Sequence, residues 1–410
     1  MPLAAGRPYV AIPGPSVVPD RVLAAMHRAS PDIYSGTLHD TTASLFPDLR
    51  RVAMTTGHVA MYIGNGHAAW EAAATNMLSQ DDRVLVPATG QFGLSWAAAV
   101  RRLGVGVDLI DFGRRMPADP ERIAAALRAD RDGRIRAVLV THVDTATSIR
   151  NDIPAIRAAI DAAGHPALLA VDAIASLGCD ELRMDDWGID VLIAASQKGL
   201  MTPPGLCFVW FGDKASRVAR GAGLRTPYWD WGPRADPAEY WQTFCGTAPA
   251  QLVWGLREAL TMLLDEEGLA AAWARHDVLA RTVWAAFDAW AAAGDIAMNA
   301  ARPEWRSRAV TSARIGGGGA GRLRAWTVAE AGLTLGIGLG MAEAGDPAQG
   351  DFLRVAHMGH VSGHMTLGLL AVMEAGMRAL GIDHGAGALD AAAAVAASAS
   401  AVAAAALAAV

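Results

Sequence analysis

Between about residues 20 and 265 the chain alternates short apolar runs with stretches of helical spacing. Arg83 to Pro87, Ala137 to Val143, Ala167 to Ala173, Val191 to Ser196 and Leu206 to Phe211 are runs of five to seven residues, and Ile153 to Ala163 carries its apolar residues at helical intervals. Strands that are apolar at consecutive rather than alternate positions are buried on both faces, so the pattern predicts βαβ units around a mostly parallel sheet. Past Asp265 the character changes. A long amphipathic helix, Leu269 to Trp290, is followed by a strand-like Arg308 to Ile315, a glycine run, a segment around Leu333 to Met341, a second strand-like run Phe352 to His357 and a helix from about Ser362 to Leu380. This reads as an α/β chain with an N-terminal arm (1–20), a large α/β domain (21–265), a smaller α+β domain (266–385) and an alanine-rich tail (386–410). No repeat at periods of 20–50 residues is present.

Composition narrows the class. The 410 residues are 52% hydrophobic and 19% charged, as for a globular protein, and the net charge of −6 argues against a nucleic-acid footprint or attraction to an anionic membrane. Cys179, Cys207 and Cys245 are too few and too scattered for a disulfide framework or a zinc site, which points to a reducing, cytoplasmic setting. Met1 to Val10 has no apolar core of a signal peptide. Residues 391–410 are uncharged and long enough to span a bilayer, but Val395, Val402, Leu407 and Val410 are the only bulky side chains, so a helix lying on the protein or fraying is expected. The basic residues are unusual: of 35 Lys and Arg, only Lys198 and Lys214 are lysine.

In parallel α/β sheets, ligands collect beyond the carboxyl ends of the strands. Phe92, Thr145, Asp172 and Lys198 all fall there. Lys198 follows a buried run, so its amine is either partly desolvated and nucleophilic or a surface lysine at a strand end. Asp172 is either a carboxylate with a buried partner or a helix N-cap. Lys214 has the setting of a turn lysine. Gly64-Asn65-Gly66-His67-Ala68-Ala69, between an apolar run and a helical pattern, is an anion cradle suited to a phosphate, without the acid that a dinucleotide site needs at the end of the next strand. A second glycine run, Gly316 to Gly321, reads as a flexible hairpin or loop. His67, His142, His357, His360 and His364 lack the acidic partners of a metal site. Trp229, Trp231 and Trp241 read as a loop or interface wall, and Arg354, in an apolar strand, is either paired internally or forks a substrate carboxylate. Amine, carboxylate, aromatic and phosphate cradle are the parts that hold pyridoxal phosphate.

The ordered motifs Gly64-Asn-Gly-His, Gly90-Gln-Phe-Gly, Thr141-His-Val-Asp-Thr-Ala-Thr, Ala170-Val-Asp-Ala-Ile-Ala-Ser-Leu-Gly and Ala195-Ser-Gln-Lys-Gly-Leu-Met-Thr-Pro-Pro-Gly resemble those of the class V (fold type I) pyridoxal-phosphate aminotransferases. The similarity runs from Pro13-Gly-Pro to about Leu380 and is nearest to the serine–glyoxylate and alanine–glyoxylate branch. The resemblance implies that Lys198 forms the Schiff base, Asp172 pairs with the pyridine nitrogen, Phe92 stacks on the ring and Thr145 faces its hydroxyl side. Asn65, Gly66, His67 and Gln197 would hold the phosphate, with Thr247 reaching in from the second subunit of a homodimer. Arg354 would bind the substrate carboxylate, and Tyr34 stands where the serine–glyoxylate branch has histidine. Phe244 replaces a tyrosine that some relatives place near the phosphate. The substrates implied are a small L-amino acid, serine or alanine and then aspartate, with glyoxylate or pyruvate. A neighbouring branch, pyridoxamine–pyruvate aminotransferase, uses the vitamin as substrate; it resembles this chain at His357-Met-Gly but has glutamate at the position of Asn65.

Overall fold

The computed structural model describes residues 3–343 and 345–408. Seven strands form the larger sheet, in the order His58–Gly64, Gly205–Phe211, Val191–Ala195, Leu168–Asp172, Ile135–Thr141, Arg83–Ala88 and Gly106–Asp111. Gly205–Phe211 runs antiparallel to both its neighbours, and the other pairings are parallel. The consecutive apolar runs are explained by burial on both faces. Val138 and Val140 pack with Leu169 and Val171 on one side, while Ala137 and Leu139 pack with Leu168 and Ala170 on the other. Each Val or Leu among these contributes about 1.5–3 kcal/mol on leaving water.

The second sheet holds five strands in the order Tyr9–Ala11, Leu333–Ile337, Phe352–Ala356, Val310–Ile315 and Ile296–Met298. The N-terminal segment is therefore not a separate arm throughout: Tyr9–Ala11 pairs in parallel with Leu333–Ile337. Helices Leu269–Trp290 and Gly363–Ala379 cover this sheet through Val283, Phe287, Leu370 and Met373. Helix Ala388–Ala408 packs on them, with Ala388 and Ala392 buried. Val410 lies outside the described residues, as do the side chains of Val402 and Leu407. Among the described residues no helix is long and apolar enough to cross a membrane.

Two further readings of the sequence are corrected. The glycine run is not a loop throughout: Gly317 and Gly318 turn the chain at φ +63° and +69°, and helix Gly319–Ala331 starts inside the run. The cap it lacks comes from Asp351, whose Oδ1 accepts the Gly318 N–H at 2.7 Å. Lys214 sits in the first turn of helix Asp213–Ala219, where Nζ donates to Ala167 O at 3.0 Å, so it is not a turn lysine. Trp229 and Trp231 lie in a loop as expected, where Trp231 is buried and stacks on Phe211 with centroids 4.3 Å apart and Trp229 packs against the same core; Trp241 is exposed.

Candidate active site

Four strand ends and one helix start converge on a pocket of about 130 Å³ lined by Asn65, Gly66, His67, Trp70, Phe92, Thr145, Asp172, Gln197 and Lys198, among others. The helix Gly66–Met77 begins there because the Asn65 side chain accepts the His67 N–H at 3.1 Å. The first N–H groups of a helix have no partner within it and are available to an anion. Gly66 is needed for close approach, since a Cβ there would run into Ile174. The Gln197 Oε1 is buried without a hydrogen-bond partner among the described residues. An amide in that position can turn its N–H₂ toward an anion.

Lys198 emerges after the Val191–Ala195 strand and is buried. Burial, and then the nearby Arg354 cation, push its amine down to about 8, against the pull of Asp172. Nζ donates to Pro13 O. The loop is tied to the N-terminal segment as well, with Ser16 Oγ donating to Lys198 O at 2.7 Å and Ser16 N to Gln197 O at 2.9 Å. Asp172, the last residue of its strand, is pushed up to about 7 by burial. Ile174 N–H at 2.8 Å and Trp70 Nε1 at 2.9 Å oppose that shift by donating to its two oxygens.

Phe92 lies in the first turn of helix Gln91–Arg102, whose N-cap, Gly90, has no side chain. The buried Asp144 carboxylate takes the place of a cap, accepting Phe92 N–H at 2.8 Å and Gly93 N–H at 3.1 Å. Arg354 is buried beside the pocket, its Nη1 donating to Thr145 O at 3.1 Å and Nε to Ile337 O at 2.7 Å. Its partners are carbonyls; no carboxylate pairs with it among the described residues. Burial lowers it to about 10.

Tyr34 is 86% exposed and Thr247 is exposed, so neither reaches this pocket from its own chain. The histidines divide by role. His67 lines the pocket, His142 meets Ser176 Oγ at 3.0 Å, and His357 bridges Arg308 O and Thr311 Oγ1. Trp70, Asp144, Pro13 and Ser16 were not singled out from the sequence. Trp70 alone had a local signal, being four residues after Gly66 and so on the same helix face. A larger, mostly apolar groove of about 930 Å³ lies between residues 7–20 and helix Gly363–Ala379, and it includes none of the strand-end groups.

Residues 9–317 match the family model described as Aminotransferase class-V. The chain belongs to the class V aminotransferases. It is 37% identical to a serine–glyoxylate aminotransferase of Methylorubrum extorquens over 378 residues, 90% of each chain. It is 35% identical to an L-aspartate–glyoxylate aminotransferase of Paracoccus denitrificans, over 90% of this chain and 91% of that one. Among solved structures it superposes on the pyridoxamine–pyruvate aminotransferase of Mesorhizobium loti with a TM-score of 0.84 and 25% identity, over 95% of this chain and 97% of the other. As a class V aminotransferase the protein uses pyridoxal phosphate. The pocket fits that cofactor: the glycine-lined helix start and orphaned Gln197 amide suit a phosphate, and a buried carboxyl stands near a desolvated lysine.

Proposed function

We propose that this aminotransferase moves an amino group from a small L-amino acid, serine first and alanine or aspartate next, to glyoxylate or pyruvate, and that it works as a cytoplasmic homodimer. The observation that carries the substrate reading is Arg354, a buried guanidinium with no carboxylate paired to it among the described residues, one hydrogen bond from Thr145 at the pocket wall. A planar fork of donors held in that place takes a substrate α-carboxylate and so fixes the angle at which the Cα–H bond meets the cofactor. The cofactor supplies an electron-poor ring that stabilises the charge left when that bond breaks. Lys198 would hold the cofactor through its amine and would take and return the α-proton as base and acid. Asp172 keeps the ring nitrogen protonated, Phe92 covers one ring face, and Thr145 stands at the hydroxyl side. Asn65, Gly66, His67 and Gln197 hold the phosphate.

Thr247 and Tyr34, exposed on one protomer, complete the pocket of a second copy in this reading. The relatives named for serine and aspartate as donors, both named for glyoxylate as acceptor, support the substrate choice. An absorbance titration of purified protein tests it. Serine should abolish the long-wavelength cofactor band and glyoxylate should restore it, with alanine and aspartate acting more weakly; no response to any of the three amino acids would overturn the proposal. A second reading, pyridoxamine–pyruvate transfer, draws on the likeness to the M. loti enzyme. Colourless protein that consumes free pyridoxamine with pyruvate would select it.

A further inference from the structure

Trp70 is 1% exposed and lies in the first turns of the helix that opens the phosphate cradle. Its indole is packed among aromatic rings. Trp96 stacks on it at 6.1 Å, His67 lies against it at 4.4 Å, and Phe92 meets it edge-on at 6.4 Å. Its Nε1 is thereby aimed at Asp172 Oδ2, while the backbone N–H of Ile174 holds Oδ1. An indole N–H and a peptide N–H can only donate. Two donor-only groups on one carboxyl favour its anion, since a charged oxygen accepts more strongly than a protonated one.

We propose that Trp70 is a positioning residue that keeps Asp172 ionised and turned toward the ring nitrogen of the cofactor. The proposal rests on the reading of Asp172 given above. Burial, and then the nearby Asp144, drive this carboxyl toward its neutral acid, so it lies near 7 even with both donors in place and the Lys198 cation close by. A neutral acid cannot hold a proton on the ring nitrogen by charge. The packing of the indole against Phe92 and His67 also fixes the anion in the same unit that carries the stacking ring and one end of the cradle.

The test uses full-length protein stripped of cofactor. Wild type, Trp70→Phe and Asp172→Asn are compared by equilibrium dialysis with pyridoxal phosphate and with its 1-deaza analogue, in which carbon replaces the ring nitrogen; thermal scans accompany each. Trp70→Phe should weaken pyridoxal phosphate by about 10- to 100-fold, the range expected on losing a hydrogen bond to a charged group. The deaza analogue, with no nitrogen to pair, should change by less than about threefold, a difference worth under about 1 kcal/mol. Equal weakening of both probes, or of neither, overturns the role of Trp70. If Asp172→Asn also fails to discriminate the probes, the reading of Asp172 itself falls; if it discriminates and Trp70→Phe does not, only the Trp70 proposal falls. Should Trp70→Phe not fold, protein carrying 3-benzothienylalanine at position 70 keeps the ring size, replaces the N–H by sulfur, and must give the same split.

Discussion

Lys198 has chemistry that an arginine could not supply. A guanidinium stays charged at any physiological pH, whereas a desolvated ammonium gives up its proton near neutrality. The amine sits near 8 against 10.5 in water because burial, and then Arg354, penalise the cation. The sign follows: below about 8 the ammonium dominates and is unreactive, and as pH rises through 8 the neutral amine becomes available. The rate at which stripped protein captures pyridoxal phosphate, followed by stopped-flow absorbance, should therefore climb with pH and level off above about 8. A climb that continued toward 10.5 would mean a solvated lysine. Lys214 shows the contrast, as it spends its charge on Ala167 O and lies 3.5 Å from Asp190, which are contacts another cation can make.

At the scale of elements, helix starts decide the site. The Gln91–Arg102 helix that places Phe92 is capped by Asp144, from the two-residue strand Val143–Asp144, which accepts its first N–H groups. Asp144→Ala leaves those donors unpaired in a dry environment and should cost about 2–3 kcal/mol of unfolding free energy, measured by denaturant melts. An unchanged midpoint would mean that the helix caps itself. The same element explains what could be read from the sequence. Runs such as Ala137 to Val143 were legible because burial on both sheet faces leaves no polar alternation, and Lys198, Asp172, Phe92 and Thr145 were legible as strand-end positions. Asn65 could be seen because it caps its own helix. Asp144 and Asp351 could not, since each caps a helix distant in sequence, and for want of Asp351 the glycine run looked like a loop. Trp70 looked like ordinary helix core because its polar handle meets a residue 102 positions away.

At the scale of the molecule, the smaller sheet touches both ends of the chemistry. Its Phe352–Ala356 strand carries Arg354, and that strand and Tyr9–Ala11 both pair with Leu333–Ile337. From Ala11 the chain passes over Lys198, with Pro13 O on Nζ and Ser16 tied to the backbone of Gln197 and Lys198. Gly14 is required on this path, because a Cβ would lie 2.6 Å from Lys198 Cε. Ser16→Ala removes one tie. Hydrogen exchange over residues 9–16 should then speed up by about 5-fold, as for loss of about 1 kcal/mol. Exchange at the wild-type rate would show that this hydroxyl carries no part of the attachment.

The path of residues 9–16 also matters for anyone who handles this protein. A purification tag, fusion partner or surface linker placed ahead of Tyr9 joins the strand whose continuation contacts the Lys198 amine, so a change there should be felt at that nitrogen. The alanine-rich helix Ala388–Ala408 packs against Leu269–Trp290 and contributes no described residue to the pocket. Tethering through that end should leave the amine less affected than tethering ahead of Tyr9.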